Sequence, residues 1–254
     1  MKTQESLALQ FVGSFTTGDS EILNEFHEDY KMHRPEYPST METMASFFPG
    51  QPYGMKTENV RYFVDGDIVV THNYTSEYPG SSPFISIDIL RFKDGKIADY
   101  WDNMEVESET SESSNSQYDG ATLVEDFEKT KSNKSLITAH TQNILIDGKI
   151  ERLEEYVNQT HLDQHAVGVE NGFKAYESYL LSRDYNVVTL KKVLGQGNFV
   201  LAICDGMLDK QAATFYNMYR IKNDKIVEHW EVTEVNAPKD KWANTNGRTN
   251  FSHV

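Results

Sequence analysis

Hydrophobic positions along the chain change from a helical to an alternating period, and they do so twice. Leu7, Phe11 and Phe15 recur four apart, and after Gly18 a shorter set of Ile22, Leu23 and Phe26 follows, which predicts an amphipathic helix and then a second short one. An irregular stretch containing His33 comes next, then a third helix whose start is marked by Ser39 with Glu42 three positions on. From there the period falls to two. Strands are predicted over 57–64, 67–76, 83–92 and 96–106, the last two joined by a hairpin turn at Asp94-Gly95. The series then recurs: Leu136, Ile137, Ile144 and Leu145, then Leu153 and Tyr156, an irregular stretch with His165, and strands from Val187 onward with a turn at Asn223-Asp224. Helices first and strands after predict an α+β fold in each half, with N-terminal helices packed on one face of a curved antiparallel sheet.

The recurrence has a nearly fixed spacing. Between "ILRFKDGKIADYWDNMEV" and "MYRIKNDKIVEHWEVTEV", Arg91 pairs with Arg220, Trp101 with Trp230 and Glu105 with Glu234, each 129 positions apart; Gly18 faces Gly148 at 130 and His33 faces His165 at 132. Such an offset indicates a duplication and is too long for a solenoid. The predicted division is a first domain over 1–106, a linker over 107–120 and a second domain over 121–254. The linker, "ESETSESSNSQYDG", is rich in Ser and Glu and nearly free of aliphatics, so it is expected in solvent. Leu123, Val124 and Phe127 have helical spacing and predict a short helix leading into the second copy. The C-terminal "APKDKWANTNGRTNF" has no periodicity, although Trp242 and Phe251 offer apolar surface to hold it down.

Composition narrows the function classes. Of 254 residues 38% are hydrophobic and 25% charged, as in a soluble globular protein, and no apolar run approaches the ~20 residues of a membrane helix. The N-terminal "MKTQESLALQFVGSF" lacks the continuous apolar stretch of a secretory signal, so a cytoplasmic location is expected. Lys and Arg number 24 against 39 Asp and Glu, and no basic cluster is present to track phosphates, which argues against nucleic acid as a partner. Cys204 is the only cysteine; it forms no intrachain disulfide and reads as a buried small hydrophobe.

The order of elements, the His-containing stretch after the second helix and a last hairpin ending in Trp followed by an acid resemble the nuclear-transport-factor-2-like superfamily, specifically its SnoaL-like polyketide cyclase branch. The second copy, in "LEEYVNQTHLDQHAVGVENGFKAYESYL", "FYNMYRIKNDKIVEHWEV" and "NTNGRTNF", is similar to proteins identified as SnoaL-like aldol-condensation enzymes. The resemblance implies two tandem cone-shaped half-barrels, each enclosing an apolar pocket in which an Asp or His moves a proton on a small hydrophobic molecule, with neither metal nor organic cofactor. It carries the family's His onto His33 and His165, its third-strand Asp onto Asp88 and Asn217, and its acid after the Trp onto Asp102 and Glu231. It also implies that the tandem chain forms an intramolecular pseudo-dimer, with a further homo-oligomer left open.

Strand alternation puts Tyr100, Asp102, Met104 and Val106 on one face and Asp99, Trp101, Asn103 and Glu105 on the other. A carboxylate in an apolar wall is desolvated and becomes useful as a base or acid near neutral pH. Asp102, Asp88, His33 and His72 are therefore the candidate catalytic residues. Tyr100, Met104 and Tyr74, with His165, His229, Glu231 and Asn217 of the second copy, are candidate ligand contacts. Bland readings stand beside these: Asp102 as a partner of a neighbouring Arg or of a backbone amide at a strand end, Asp88 as a partner of Arg91 or Arg61, His72 as a bonded core histidine sharing a face with Val70 and Tyr74, and Trp101 and Trp230 as packing residues. His161 and His165 lie four apart, a spacing that suits a metal on a helix, but their repeat partner supplies a single His, so no metal site is assigned. Three functions remain open: a cofactor-independent acid–base enzyme (cyclisation, isomerisation, dehydration or aldol-type) on a small hydrophobic carbonyl compound, a non-catalytic binding protein for a small hydrophobic ligand, or an assembly module whose pockets are filled.

Overall fold

The structure is a computed structural model that describes residues 2–48, 55–77, 80, 82–108, 112–182 and 185–254. The chain divides into two units, one made of Met1–Glu107 with Ala237–Val254 and the other of Ser108–Asn236. Among the described residues no helix is long and apolar enough to cross a membrane.

In the first unit α1 (Gln4–Thr17) is capped by Thr3, whose hydroxyl accepts from the Ser6 amide, and ends at Gly18, whose positive φ of 67° closes the last turn onto the Ser14 carbonyl. A 3-10 turn (Ser20–Glu25) leads to β1 (Phe26–Met32), then α2 (Met41–Phe47), β2 (Lys56–Asp65), β3 (Ile68–Glu77), β4 (Phe84–Lys93) and β5 (Lys96–Val106). The sheet order is β1-β5-β4-β3-β2, with β1 parallel to β5 and the other pairs antiparallel. The sheet is thus mixed, and the second short helix expected through Phe26 stops one residue earlier, because Phe26 already pairs with Ile97 of β5. The start of α2 also differs: Thr40 caps it, while the Ser39 hydroxyl accepts from the Met32 amide. Asp94 and Gly95 both have positive φ, as the hairpin turn between β4 and β5 requires.

Leu7, Phe11 and Val12 of α1 bury against Val69, Leu90 and Tyr100, so one face of the sheet looks at the helix. The Phe11 ring lies 5.3 Å from Tyr100 and 5.8 Å from Phe48. On the opposite face Trp101 is covered by the ring of Phe251, stacked at 4.6 Å.

The second unit repeats this plan. It contains α3 (Thr130–His140) continuing into a π-turn (Thr141–Ile146), a 3-10 turn (Ile150–Glu155), β6 (Asp163–Gln164), α4 (Phe173–Ser182), β7 (Tyr185–Gln196), β8 (Phe199–Leu208), β9 (Gln211–Lys222) and β10 (Lys225–Val235), in the sheet order β6-β10-β9-β8-β7. The helix expected from Leu123, Val124 and Phe127 is reduced to a 3-10 turn (Phe127–Lys129), and Leu123 and Phe127 are exposed. Asn198 explains this: its side chain and amide engage the Glu125 amide and carbonyl at 2.9 Å each, taking backbone groups a helix would need.

The two tails depart most from expectation. The stretch 107–120 was expected in solvent, but from Ser108 it belongs to the second unit, where Ser113 and Gln117 are buried and the Trp230 indole donates to the Asp119 carbonyl at 2.9 Å. Residues 237–254 follow the last strand of the second unit yet belong to the first. Polarity misleads here because these segments are held by hydrogen bonds and by aromatic stacking of Phe251 and His253 on Trp101, which need few aliphatic side chains. The Phe11→Ala variant should lose about 3–5 kcal/mol of first-unit stability. Hydrogen exchange should show this as lost protection in β3, β4 and β5, with β8, β9 and β10 unchanged.

Candidate active site

β4 and β5 pair so that Asp88 stands opposite Asp102, and Leu90 opposite Tyr100; on the next strand Thr71 faces Asp88. Because Leu90, Tyr100 and Val69 face α1, the two-residue period places Asp88, Asp102 and Asn73 on that same face. All three are buried. The Asp88 carboxyl accepts from the Tyr100 hydroxyl at 3.2 Å on one oxygen and from the Asn73 amide at 2.9 Å on the other. Asp102 accepts from Arg34 Nη1 at 2.8 Å through Oδ2, while its buried Oδ1 has no hydrogen-bond partner among the described residues.

Burial, and next the Asp102 charge, push the Asp88 carboxyl up to about 8; bonds from Tyr100 and Ser86 and the charge of Arg34 oppose the rise. The site therefore holds a proton on Asp88 at neutral pH beside a carboxylate paired with arginine. Burial, then Asp88 and Asp102, raises the Tyr100 phenol well above its ordinary value, keeping it a hydrogen-bond donor.

The other expected residues fall elsewhere. His72 lies on the opposite face of β3 from Asn73, bonded through Nδ1 to Arg61 at 2.5 Å; Tyr74 shares that face and donates to Glu107 at 2.9 Å. His33 is also not with the two aspartates. Its Nε2 meets Asp99 Oδ1 at 2.8 Å, its Nδ1 meets the Gly247 carbonyl at 3.0 Å, and its ring stacks on Trp101 at 4.1 Å. The reason is register: Met32 pairs with Tyr100 and faces α1, so His33 turns away and Arg34 turns back toward Asp102. Met104, opposite Ser86, is half-buried on the Tyr100 side, and Val106 is exposed. Arg34 is the residue that sequence reasoning missed; the signal available was a cation one position after a His expected beside the sheet.

Asp99 also binds Arg91 through Oδ2 and His253 Nε2 through Oδ1 at 3.0 Å. Burial raises the Asp99 carboxyl, but the bonds from His33, Arg91 and His253 outweigh it and hold the group below its ordinary range. His33, Asp99 and His253 converge closely enough to hold a cation. However, Arg91 already neutralises Asp99, and the second unit builds the same arrangement with one histidine: His165 stacks on Trp230 at 4.7 Å and meets Glu228 at 3.1 Å, with Arg220 on the other carboxylate oxygen. The cluster is accordingly assigned as a buried ion pair rather than a metal centre. His161 is exposed on no helix and pairs with Asp163 at 3.1 Å, so the four-residue spacing to His165 has no structural meaning.

The second unit places different chemistry at the aligned positions. Asn217 stands opposite Glu231 as Asp88 stands opposite Asp102, His229 replaces Tyr100, and Ala166 replaces Arg34. His229 is buried with its two ring nitrogens 2.9 Å from the amide oxygens of Gln164 and Asn217, and stacked on Tyr219 at 4.8 Å. Burial, then His140 and His165, lowers its pKa to about 3, so the ring is neutral and owns one N–H. One of the two amides must then turn its NH2 toward the ring. Glu231 is occupied by Tyr185 and Thr233, each at 3.1 Å.

No protein-family profile and no curated protein matches this chain. Solved structures do. A protein provisionally named a ketosteroid isomerase from Kribbella flavida is 11% identical, with 43% of this chain and 84% of that chain covered at a TM-score of 0.37. A protein provisionally named a polyketide cyclase from Acidithiobacillus ferrooxidans is 14% identical, covering 40% and 87% at 0.34. An NTF2-like protein of unknown function from Cytophaga hutchinsonii is 12% identical, covering 45% and 95% at 0.36.

The raised Asp88 carboxyl has a stability consequence. An unfolded Asp releases its proton near 3.8, whereas the folded group keeps it to about 8. Between those values the folded state binds the extra proton, so Asp88 contributes stability that falls as pH rises through the window. Urea titrations at pH 5 and pH 8 should show a steeper loss in the wild type than in Asp88→Asn, and equal slopes would contradict the assignment.

Proposed function

We propose that the first unit is a general acid–base enzyme acting on a small hydrophobic carbonyl compound, with Asp102 as proton acceptor and Asp88 as donor. The observation that carries this reading is the facing pair of buried carboxyl groups in which Oδ1 of Asp102 has no hydrogen-bond partner among the described residues. Arg34 occupies the other oxygen, so Oδ1 is the atom available to take a proton. In the reading, a C–H bond next to the substrate carbonyl breaks, its proton goes to Asp102 Oδ1, and the electron pair moves onto the carbonyl oxygen. The protonated Asp88 donates a hydrogen bond to that oxygen, and Tyr100 supports Asp88. Returning the proton to another carbon gives an isomerisation, whereas attack of the enolate carbon on a second carbonyl gives an aldol-type or cyclising step.

The second unit favours a different reading. A neutral His229 between two amides, with Glu231 already bonded to Tyr185 and Thr233, supplies hydrogen bonds and lacks a free base. This supports non-catalytic binding of a small hydrophobic molecule there, with His229 and Asn217 as its polar contacts.

The test is hydrogen–deuterium exchange at the α-carbon of a panel of small apolar ketones, followed by NMR. Asp102→Asn should lower exchange at least about 100-fold, in the range for removing a general base, while Glu231→Gln leaves it unchanged. Equal losses in both variants would indicate two working sites. Wild-type exchange should also decline as pH rises through about 8, where Asp88 loses its proton. Asp88→Asn, which keeps an N–H donor, should flatten that limb.

A further inference from the structure

The segment over 243–248 comes after the last strand of the second unit, yet its polar groups reach the stretch that carries Arg34 and the strand that carries Asp102. The amides of Ala243 and Asn244 donate to the Pro35 carbonyl at 2.7 and 3.2 Å. The Asn244 side chain donates to the carbonyls of Arg34 and Tyr37 at 2.8 Å each, and that of Asn246 to the Met32 carbonyl at 2.8 Å. Arg248 donates to Asn103 Oδ1 at 2.8 Å and to the Asp102 carbonyl at 3.4 Å. The chain from His33 to Thr40 lies outside strand and helix, so these contacts replace the sheet partner that would otherwise fix it.

We infer that Asn244, Asn246 and Arg248 are positioning residues for the Arg34–Asp102 pair, so that the first unit's site is completed by chain lying beyond the second unit. The inference rests on the acid–base reading of that pair and deepens it. The comparison between units supports it. The tail over 113–120 aligns with 244–251 and makes the same kind of contact in the second unit: Asn115 donates to the Gln164 carbonyl at 3.0 Å as Asn246 does to Met32, and the Ser116 carbonyl meets His165 at 2.8 Å as Gly247 meets His33. There the clamped stretch offers Ala166 in place of Arg34, and Glu231, the counterpart of Asp102, is met by Tyr185 and Thr233. Clamping is therefore common to both units, whereas setting a guanidinium against a buried carboxylate belongs to the first.

The readout is the titration of the Asp88–Asp102 pair, followed by carboxyl carbon NMR on the full chain without substrate. Arg34→Gln removes a cation from beside both carboxyls and should raise the upper titration step of the pair above about 8. If the tail positions Arg34, Asn244→Ala with Asn246→Ala should move that step in the same direction by at least about half a unit, and Asn244→Ala alone, the milder variant, by less. Lys241→Ala, on the exposed part of the tail, should leave it in place. A purely structural tail would lower thermal stability without moving the step, and that result, in either the double variant or Asn244→Ala, overturns the inference. Because no turnover is measured, a shifted step with no exchange activity upholds the positioning while refuting the enzyme. An active wild type with an unmoved step does the reverse.

Discussion

A carboxyl group taken out of water must be given a cation, a proton or hydrogen-bond donors, and among the described residues five are buried on the faces of the two sheets: Asp88, Asp99, Asp102, Glu228 and Glu231. Asp99 and Glu228 receive an arginine and a stacked histidine, and Asp102 receives Arg34. Glu231 is met by hydroxyl groups. Asp88 has neutral hydrogen-bond donors, sits opposite another carboxylate, and keeps its proton instead. The ion pairs on the Trp faces are common to both units, so they belong to the fold, whereas a proton-holding Asp88 facing an arginine-bound Asp102 is found in the first unit.

That difference gives the duplication a physical meaning. Replacing Asp88, Tyr100, Asp102 and Arg34 by Asn217, His229, Glu231 and Ala166 keeps the shape of the strand pair and changes its proton inventory. The second unit meets the carboxyl opposite Asn217, that of Glu231, with the hydroxyls of Tyr185 and Thr233 where Asp102 meets Arg34. Its histidine stays neutral because burial and two nearby histidines oppose a charge. Cys204, which takes the place of Asn73, is driven by burial to about 12 and acts there as a small apolar group. The first unit thus holds a facing carboxyl pair with an arginine, and the second a neutral histidine between two amides.

The tails add a constraint of a different kind. In each unit a histidine links its own sheet to a backbone carbonyl of a tail, Gly247 in the first and Ser116 in the second. The two ring nitrogens of His33 face the Gly247 carbonyl and the Asp99 carboxyl. The aromatic stack of Trp101 on one side and the tail on the other leave the ring little freedom.

Read alone, the sequence determined the duplication, the strand series, the hairpin turns and the sets of residues that share a strand face. These follow from local period and from turn residues that tolerate positive φ, such as Asp94-Gly95 and Asn223-Asp224. It paired Tyr100 with Asp102 and His72 with Tyr74 correctly, but an alternating pattern does not say which set turns toward the helix. Tertiary structure decided that, through the burial of Leu90 and Tyr100 against α1 and the parallel register of β1 on β5, which sent His33 to the Trp face and Arg34 to Asp102. It also decided where the tails go, since His33 and Gly247 are 214 positions apart and polar segments held by backbone bonds carry no hydrophobic period to reveal their destination.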